Sequence, residues 1–318
     1  MVESKQQWKA WVYLSPALIL LLVFTVWPIF NTVRMSLLNG YRGLAAAGGQ
    51  TFEFGFQNFV KVIEYKNFKD CLKTTMLLCV ITVPLSSFLA LLIAVCLNSI
   101  RPLRRLLQTI FFLPYVTNTI AIGMVFAAMF NIVGNIAGGD PNSSASIIAT
   151  HGIVNNVIQL FGGKPINWIN AGSTYWHNMF VVIFYIVWNA LPFKILILLG
   201  GLQSVNKQYY EAAKVDGTSR TRVFFRITVP LLSPMIAYVV ITGFIGGFKE
   251  YSSVVGILGE DMAATGSTTS LNTMVGFIYD ALENNNQGRA SAAALILFGI
   301  ILLVTLLNLY ISKKKVHY

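Results

Sequence analysis

The chain has 318 residues, 55% of them hydrophobic and only 11% charged, with a formal net charge of +11. Soluble domains carry about 25% charged residues, so this composition excludes an ordinary globular protein and points to a chain dissolved mostly in lipid. The positive charge does not indicate nucleic acid, because the basic residues are scattered over short segments without a stripe of interleaved aromatics. Three cysteines, Cys71, Cys79 and Cys96, lack C-x-x-C spacing and provide neither a disulfide framework nor a zinc site.

A helix crosses a hydrocarbon core of about 30 Å with roughly 20 residues. The expected fold is all-α, with six such spans. After a short N-terminal segment (1–10), the first runs over 11–38. It is too long for a signal-peptide core and is followed by no small-residue cleavage site, so it is expected to remain as a span. The loop 39–73 leads to the second span (74–98), and the basic turn Ser99–Leu107 to the third (108–133). A long loop, Gly134–Thr174, rich in Gly, Ser, Thr and Asn, precedes the fourth (175–202). A charged segment (204–233) separates this from the fifth (234–258). The loop 259–289 then leads to the sixth (290–311) and a tail (312–318). Prolines 28, 84, 114 and 192 sit inside these runs, as membrane helices allow when neighbours satisfy the freed carbonyls.

Lysine and arginine set the orientation. One side of the expected spans holds Lys5, Lys9, Arg101, Arg104, Arg105, Lys207, Lys214, Arg220, Arg222, Arg226, Lys313, Lys314 and Lys315. The other holds only Arg42, Lys61, Lys66, Lys69, Lys73, Lys164 and Arg289. The positive-inside rule places the richer side, both termini and the segment 204–233 in the cytoplasm.

That segment reads as two short helices. Asn206 caps the first, through Val215, with Tyr209, Ala212, Ala213 and Val215 as a narrow apolar side. Gly217 follows Asp216, where a chain leaving a helix often needs positive φ. Thr218 or Ser219 caps a second helix, Arg220–Ile227, which Pro230 ends before the fifth span. Two readings of this knob follow from the residues: an amphipathic loop held by lipid phosphates, or a docking element for a cytoplasmic partner.

The spacing from Glu211-Ala212-Ala213 to Gly217, Ile227 and Pro230 resembles the EAA loop of bacterial ATP-binding-cassette importer permeases, EAA-x3-G-x9-I-x-L-P, with Val229 in place of the leucine. The stretches Trp11–Leu37, Arg101–Asn131 and Gly201–Pro234 are similar to signature regions of sugar-importer permeases of the maltose and glycerol-phosphate type. Two stretches depart from the family. The loop 134–174 is longer than usual, and "GILGEDMAATGSTTS" (Gly256–Ser270) replaces a Thr-Gly-Gly-Gly-Pro type turn. The resemblance implies a cytoplasmic coupling helix seated in a separate ATPase, with Glu211, Ala212, Ala213, Asp216, Gly217, Arg220, Ile227 and Pro230 as the coupling residues. It also implies a bacterial inner-membrane location, a second permease subunit, a homodimer of ATPases carrying Mg-ATP, and an extracytoplasmic solute-binding protein. A sugar or oligosaccharide is the expected cargo, with glycerol phosphate or another small solute as the alternative within the family.

No P-loop occurs, since "FGGKP" (Phe161–Pro165) lacks the upstream glycine and the hydroxyl residue. An ATP site and any cofactor are therefore expected on a partner rather than here. Neither G-x-S-x-G nor HExxH is present, and His151, His177 and His317 are isolated, so neither enzyme chemistry nor a metal is expected. "NSS" (Asn142–Ser144) fits a glycosylation acceptor but reads as polar loop. A secondary transporter driven by an ion gradient is the rival class. Its inverted repeats and paired acids are not seen.

Charges inside a span cost roughly 2.5–3.5 kcal/mol each on insertion scales and call for a reason. Lys194, near the inner end of span four, is expected to snorkel. Lys249 and Glu250 lie deeper along span five and point about 100° apart, so they do not pair with each other. One of them faces a polar pathway, or both fix packing between helices. The expected substrate-pathway residues are Trp188, Asn189 and Phe193 on span four and Gly247, Lys249, Glu250 and Tyr251 on span five, with Gly247 leaving room for a ligand.

Overall fold

The structure, a computed structural model, describes residues 7–100, 104–135, 148–170, 172–263 and 270–315. Expectations about Asn142–Ser144, His317, the ends of the chain and parts of the turns at 101–103 and 264–269 lie outside these residues. The chain divides into two compact units, Met1–Lys69 with Val275–Gly299 and Asp70–Met274 with Ile300–Tyr318.

In the first unit, α1 (Gln7–Leu21) passes through a π-turn (Leu22–Val26) into α2 (Trp27–Leu37). The Trp27 N–H bonds Leu22 O across the widened turn, which places Pro28 in the first turn of α2, where its missing donor is tolerated. The most apolar stretch of this rod has no buried residue. A helix that is apolar all round finds its partner in lipid or in another chain. Two short helices follow, α3 (Gly43–Ala47) and α4 (Gln57–Glu64). Asn58 of α4 is fully buried. Its Nδ2 donates to Ser36 O (3.0 Å) and Leu38 O (2.7 Å), and its Oδ1 accepts from Gly40 N (3.0 Å). One amide thus satisfies the frayed end of α2.

The second unit is built on α5 (Lys66–Ser99), which begins in the first unit, and α9 (Tyr175–Ser204). Between them come α6 (Arg104–Val116), α7 (Thr119–Phe130), an antiparallel ribbon of β1 (Ile132–Asn135) and β2 (Ile148–His151), and α8 (Ile153–Leu160). After α9 come α10 (Lys207–Val215), α11 (Arg220–Val223), a π-turn (Phe224–Thr228), α12 (Val229–Leu231), α13 (Ser233–Phe248) and α14 (Ser252–Leu258). The helices α15 (Met274–Glu283) and α16 (Gln287–Lys315) complete the chain. Apart from the ribbon, the described fold is helical.

Among the described residues, four helices are long and apolar enough to cross a membrane: Trp8–Leu37, Lys66–Ser99, Tyr175–Ser204 and Gln287–Lys313. Two bent pairs would bring the number to six. The runs expected to be the third and fifth spans are not single helices. Leu106–Val116 and Thr119–Phe130 meet at 100°, because Asn118 caps the new helix by accepting from Ile120 N (2.9 Å) and Ala121 N (3.2 Å). The run 234–258 is helical only to Phe248 and resumes at Ser252. It is preceded by a 68° bend at Leu232 rather than by a stop at Pro230, since the π-turn bond from Val229 N to Phe224 O carries the helix through that proline.

Two apolar clusters hold the second unit. One gathers Met179, Val182 and Tyr185 of α9, Phe126 and Phe130 of α7, Leu78 of α5, and Val254 and Ile257 of α14. The other gathers Ala90, Ala94 and Leu97 of α5, Ile195, Leu198 and Leu202 of α9, Leu232, and Val239 of α13. In the first cluster α14 lies on α7 with backbone nearly touching. A Cβ on Gly123 would lie 2.8 Å from Gly256 Cα, and one on Gly256 3.0 Å from Ile120 O. Along α5 and α9 the stretch between the clusters is polar, with Thr82, Ser86 and Ser87 on the first and Asn189 and Lys194 on the second.

Candidate functional site: a docking knob and a cavity between apolar layers

The knob is α10 to α12. Asn206 caps α10 by accepting from Gln208 N (3.0 Å). The helix ends in a Schellman turn, with Gly217 N donating to Lys214 O (3.2 Å) and Thr218 N to Ala213 O (3.0 Å). Gly217 has φ +64°, and nothing lies near the position of a Cβ, so its backbone conformation alone demands glycine. The apolar side expected for α10 is divided. Ala213 is buried against the rest of the unit, and Tyr210 Oη lies 3.3 Å from Thr228 Oγ1 of the π-turn. Tyr209, Ala212 and Val215 are exposed, Val215 to 87%, beside the exposed Glu211, Asp216 and Arg220. Ile227 and Pro230 are half-buried in the stem. A short helix therefore offers small and apolar side chains with one carboxylate outward, while a single alanine and one hydroxyl pair seat it.

The second site is a cavity of ≈ 280 Å³ at the polar level between the two apolar clusters. Of the expected pathway residues, Asn189, Phe193, Gly247 and Glu250 line it, and Trp188, Lys249 and Tyr251 do not. Trp188 packs on Phe126 (centroids 5.0 Å apart) and Tyr185, and Tyr251 packs against the same cluster. Lys249 is exposed at the end of α13. In the break that follows, Glu250 Oε1 accepts from Ser253 N (3.2 Å) in the first turn of α14.

Lys194 does not snorkel. It is 5% exposed and lines the cavity. Its ammonium donates to Ser86 Oγ (2.6 Å), Ser87 Oγ (3.0 Å) and Val83 O (3.3 Å). The hydroxyls that α5 presents opposite it make burial cheaper than reaching for an interface. Gly247 lines the cavity, and its lack of a side chain has a second effect. A Cβ there would meet Cys79 Sγ at 3.0 Å, so its bareness lets α13 approach α5. At Gly246 nothing lies within 4 Å, and the open space is there.

Sequence reasoning missed Tyr115, Thr82, Ser86, Thr242 and Gly246 on the lining. Tyr115 stacks on Phe193, centroids 5.8 Å apart at 18°, and forms an aromatic wall. A usable signal was present, since Thr82 and Ser86 are hydroxyls one turn apart inside an otherwise apolar run. Aromatic faces with a few hydrogen-bonding groups around a mostly apolar lining suit a ring solute that carries hydroxyls. Among the described residues, no three His, Cys, Asp or Glu side chains gather as metal ligands.

Residues 82–317 match the family described as binding-protein-dependent transport system inner membrane component, a stretch that holds the knob and the whole cavity lining. The chain is 28% identical over 304 residues to the lactose transport system permease protein LacF of Rhizobium radiobacter, covering 94% of this chain and 91% of that protein. It is 27% identical over 310 residues to the arabinooligosaccharides transport system permease protein AraP of Bacillus subtilis (strain 168), covering 95% and 88%. Its fold is similar to that in the crystal structure of a bacterial alginate ABC transporter in complex with an alginate pentasaccharide-bound periplasmic protein. There the TM-score is 0.76 at 21% identity, over 98% of this chain and 96% of that one. A helical, lipid-facing chain whose knob and cavity both fall within the matched residues belongs to the binding-protein-dependent transport system inner membrane components.

Proposed function

We propose that this chain is a membrane-spanning subunit of an ATP-driven importer that moves a sugar or oligosaccharide inward by alternating access. The observation that carries the reading is the knob. A nine-residue helix with the Glu211-Ala212-Ala213 sequence ends in a Gly217 turn and exposes Glu211, Ala212 and Val215 at the junction of two helices that border the cavity. In this reading the six apolar runs each cross the membrane, two of them bent, with both termini and α10 in the cytoplasm. A homodimer of separate ATPase subunits, carrying Mg-ATP, receives α10, and Glu211 offers a charge-assisted contact to a basic side chain there. A second permease subunit of the same family completes the pathway, and an extracytoplasmic binding protein delivers the solute. Closure of the ATPases then becomes a rigid displacement of α9 and α13, the helices that flank the knob. The cavity, with Asn189, Phe193 and the Tyr115 ring, is where the solute rests.

The test is uptake by the reconstituted transporter. Glu211→Lys should abolish uptake and weaken association with the ATPase, while the chain still inserts in the membrane. Unchanged transport in this variant would sink the coupling role of α10. ATP hydrolysis should rise when loaded binding protein is added outside. Uptake that survives ATP depletion and collapses with the proton gradient would replace this reading by a secondary transporter.

A further inference from the structure

We propose that the cavity selects solutes carrying an anionic group, with Lys194 as the residue that determines that specificity. The inference rests on the reading of the cavity as the solute site and adds the charge of the solute.

Lys194 is a buried cation whose bonding partners are all uncharged. The hydroxyls of Ser86 and Ser87 donate to carbonyls of their own helix, Thr82 O and Val83 O, so their lone pairs remain for the ammonium. The cradle fixes the charge in place and does not neutralise it. A cation kept only for packing is ordinarily matched by a carboxylate, and an apolar residue of similar volume often serves as well or better. The acid on the same lining, Glu250, is not among the bonding partners of Lys194; its carboxylate accepts the Ser253 N–H where α14 begins. On the α13 side Gly243 brings no side chain and lets the backbone close on the ammonium, since a Cβ there would lie 3.2 Å from Lys194 Nζ; the open space is one turn on, at Gly246. The longest ammonium bond, 3.3 Å to Val83 O, is the one an incoming anion can replace, because that carbonyl keeps the Ser87 hydroxyl at 2.6 Å. With Tyr115 stacked on Phe193 beside it, the cavity suits a sugar bearing one carboxylate, sulfonate or phosphate.

The experiment uses the complete transporter, with its partner subunits and binding protein, in proteoliposomes. The probes are labelled saccharides of one to four units in matched pairs: uronates with their carboxyl-reduced neutral counterparts, and sulfonated and phosphorylated hexoses with the parent hexose. The wild-type transporter should favour an anionic member over its neutral partner by about tenfold or more. Lys194→Met should remove that preference by lowering anion uptake relative to neutral uptake. Wild-type preference for the neutral member, or equal loss of both members in Lys194→Met, overturns the proposal. Gly246→Leu fills the lumen from open space without touching Lys194 and tests the underlying reading. If it leaves uptake intact, the cavity is not the solute site. If it blocks uptake while Lys194→Met proves blind to charge, the anionic specificity alone fails. A wild-type transporter that moves no member of the panel removes the sugar reading itself.

Discussion

At the scale of the residue, neighbours in sequence do different work. Ala212 and Ala213 are one motif in the sequence, but the fold buries the second and leaves the first exposed. Ala213→Leu should therefore destabilise the seating of α10 by about 1–3 kcal/mol, read as a lower melting temperature in detergent. Ala212→Leu should leave stability unchanged and reduce ATPase association in a pull-down. Equal effects on stability would refute the division. Gly217→Ala forces a side chain into left-handed backbone, at a cost of roughly 1–2 kcal/mol. Asn58 shows the opposite case, a polar residue without any motif. Its three backbone partners make Asn58→Leu destabilising by about 1–3 kcal/mol for each group left unsatisfied, measurable as loss of folded protein on heating. The turn at Gly217 was legible from spacing alone. Lys194 was misread because snorkelling follows from position along a helix, whereas its burial follows from hydroxyls on another helix.

At the scale of the element, the breaks matter more than the spans. Hydropathy alone sums over a window and cannot distinguish a straight helix from two halves that meet at 100°. Asn118 was the local sign of the break in the expected third span, a capping residue inside an apolar run. The break at Lys249–Tyr251 had weaker signs, a charged pair followed by a tyrosine and two serines. What both breaks achieve is the contact of α7 with α14, through Gly123 and Gly256. A leucine at Gly256 would have to displace backbone. Gly256→Leu should separate the two halves and abolish uptake, with protease cleavage appearing between α13 and α14, while Gly299→Leu, where nothing lies within 4 Å of a Cβ, should be silent. The prolines divide in the same way. Pro28 and Pro230 each follow a π-turn by two residues, and so neither ends its helix.

At the scale of the whole molecule, composition alone decided that the chain lives in lipid, because 11% charged residues cannot coat a water-soluble fold of this length. Charge asymmetry gave an expected orientation, and one spacing gave the family, which the match over residues 82–317 establishes. These are properties written along the chain: hydropathy per residue, charge per loop, and a turn that only glycine allows. The cavity is of another kind. Its lining is drawn from α5, α6, α9 and α13, over residues from Thr82 to Glu250, and no local pattern states that Ser86 will face Lys194 or that Tyr115 will stack on Phe193. Trp188 and Tyr251 have ring chemistry suited to a pathway, but both pack against the apolar cluster of α7 and α14, Trp188 from α9 and Tyr251 from the break before α14. Sequence determined the solvent, the apolar runs and the turn of the knob, since each depends on residues near one another in the chain. Only tertiary structure decided which polar groups meet, because that depends on the crossing of helices distant in sequence, set by the apolar clusters above and below them.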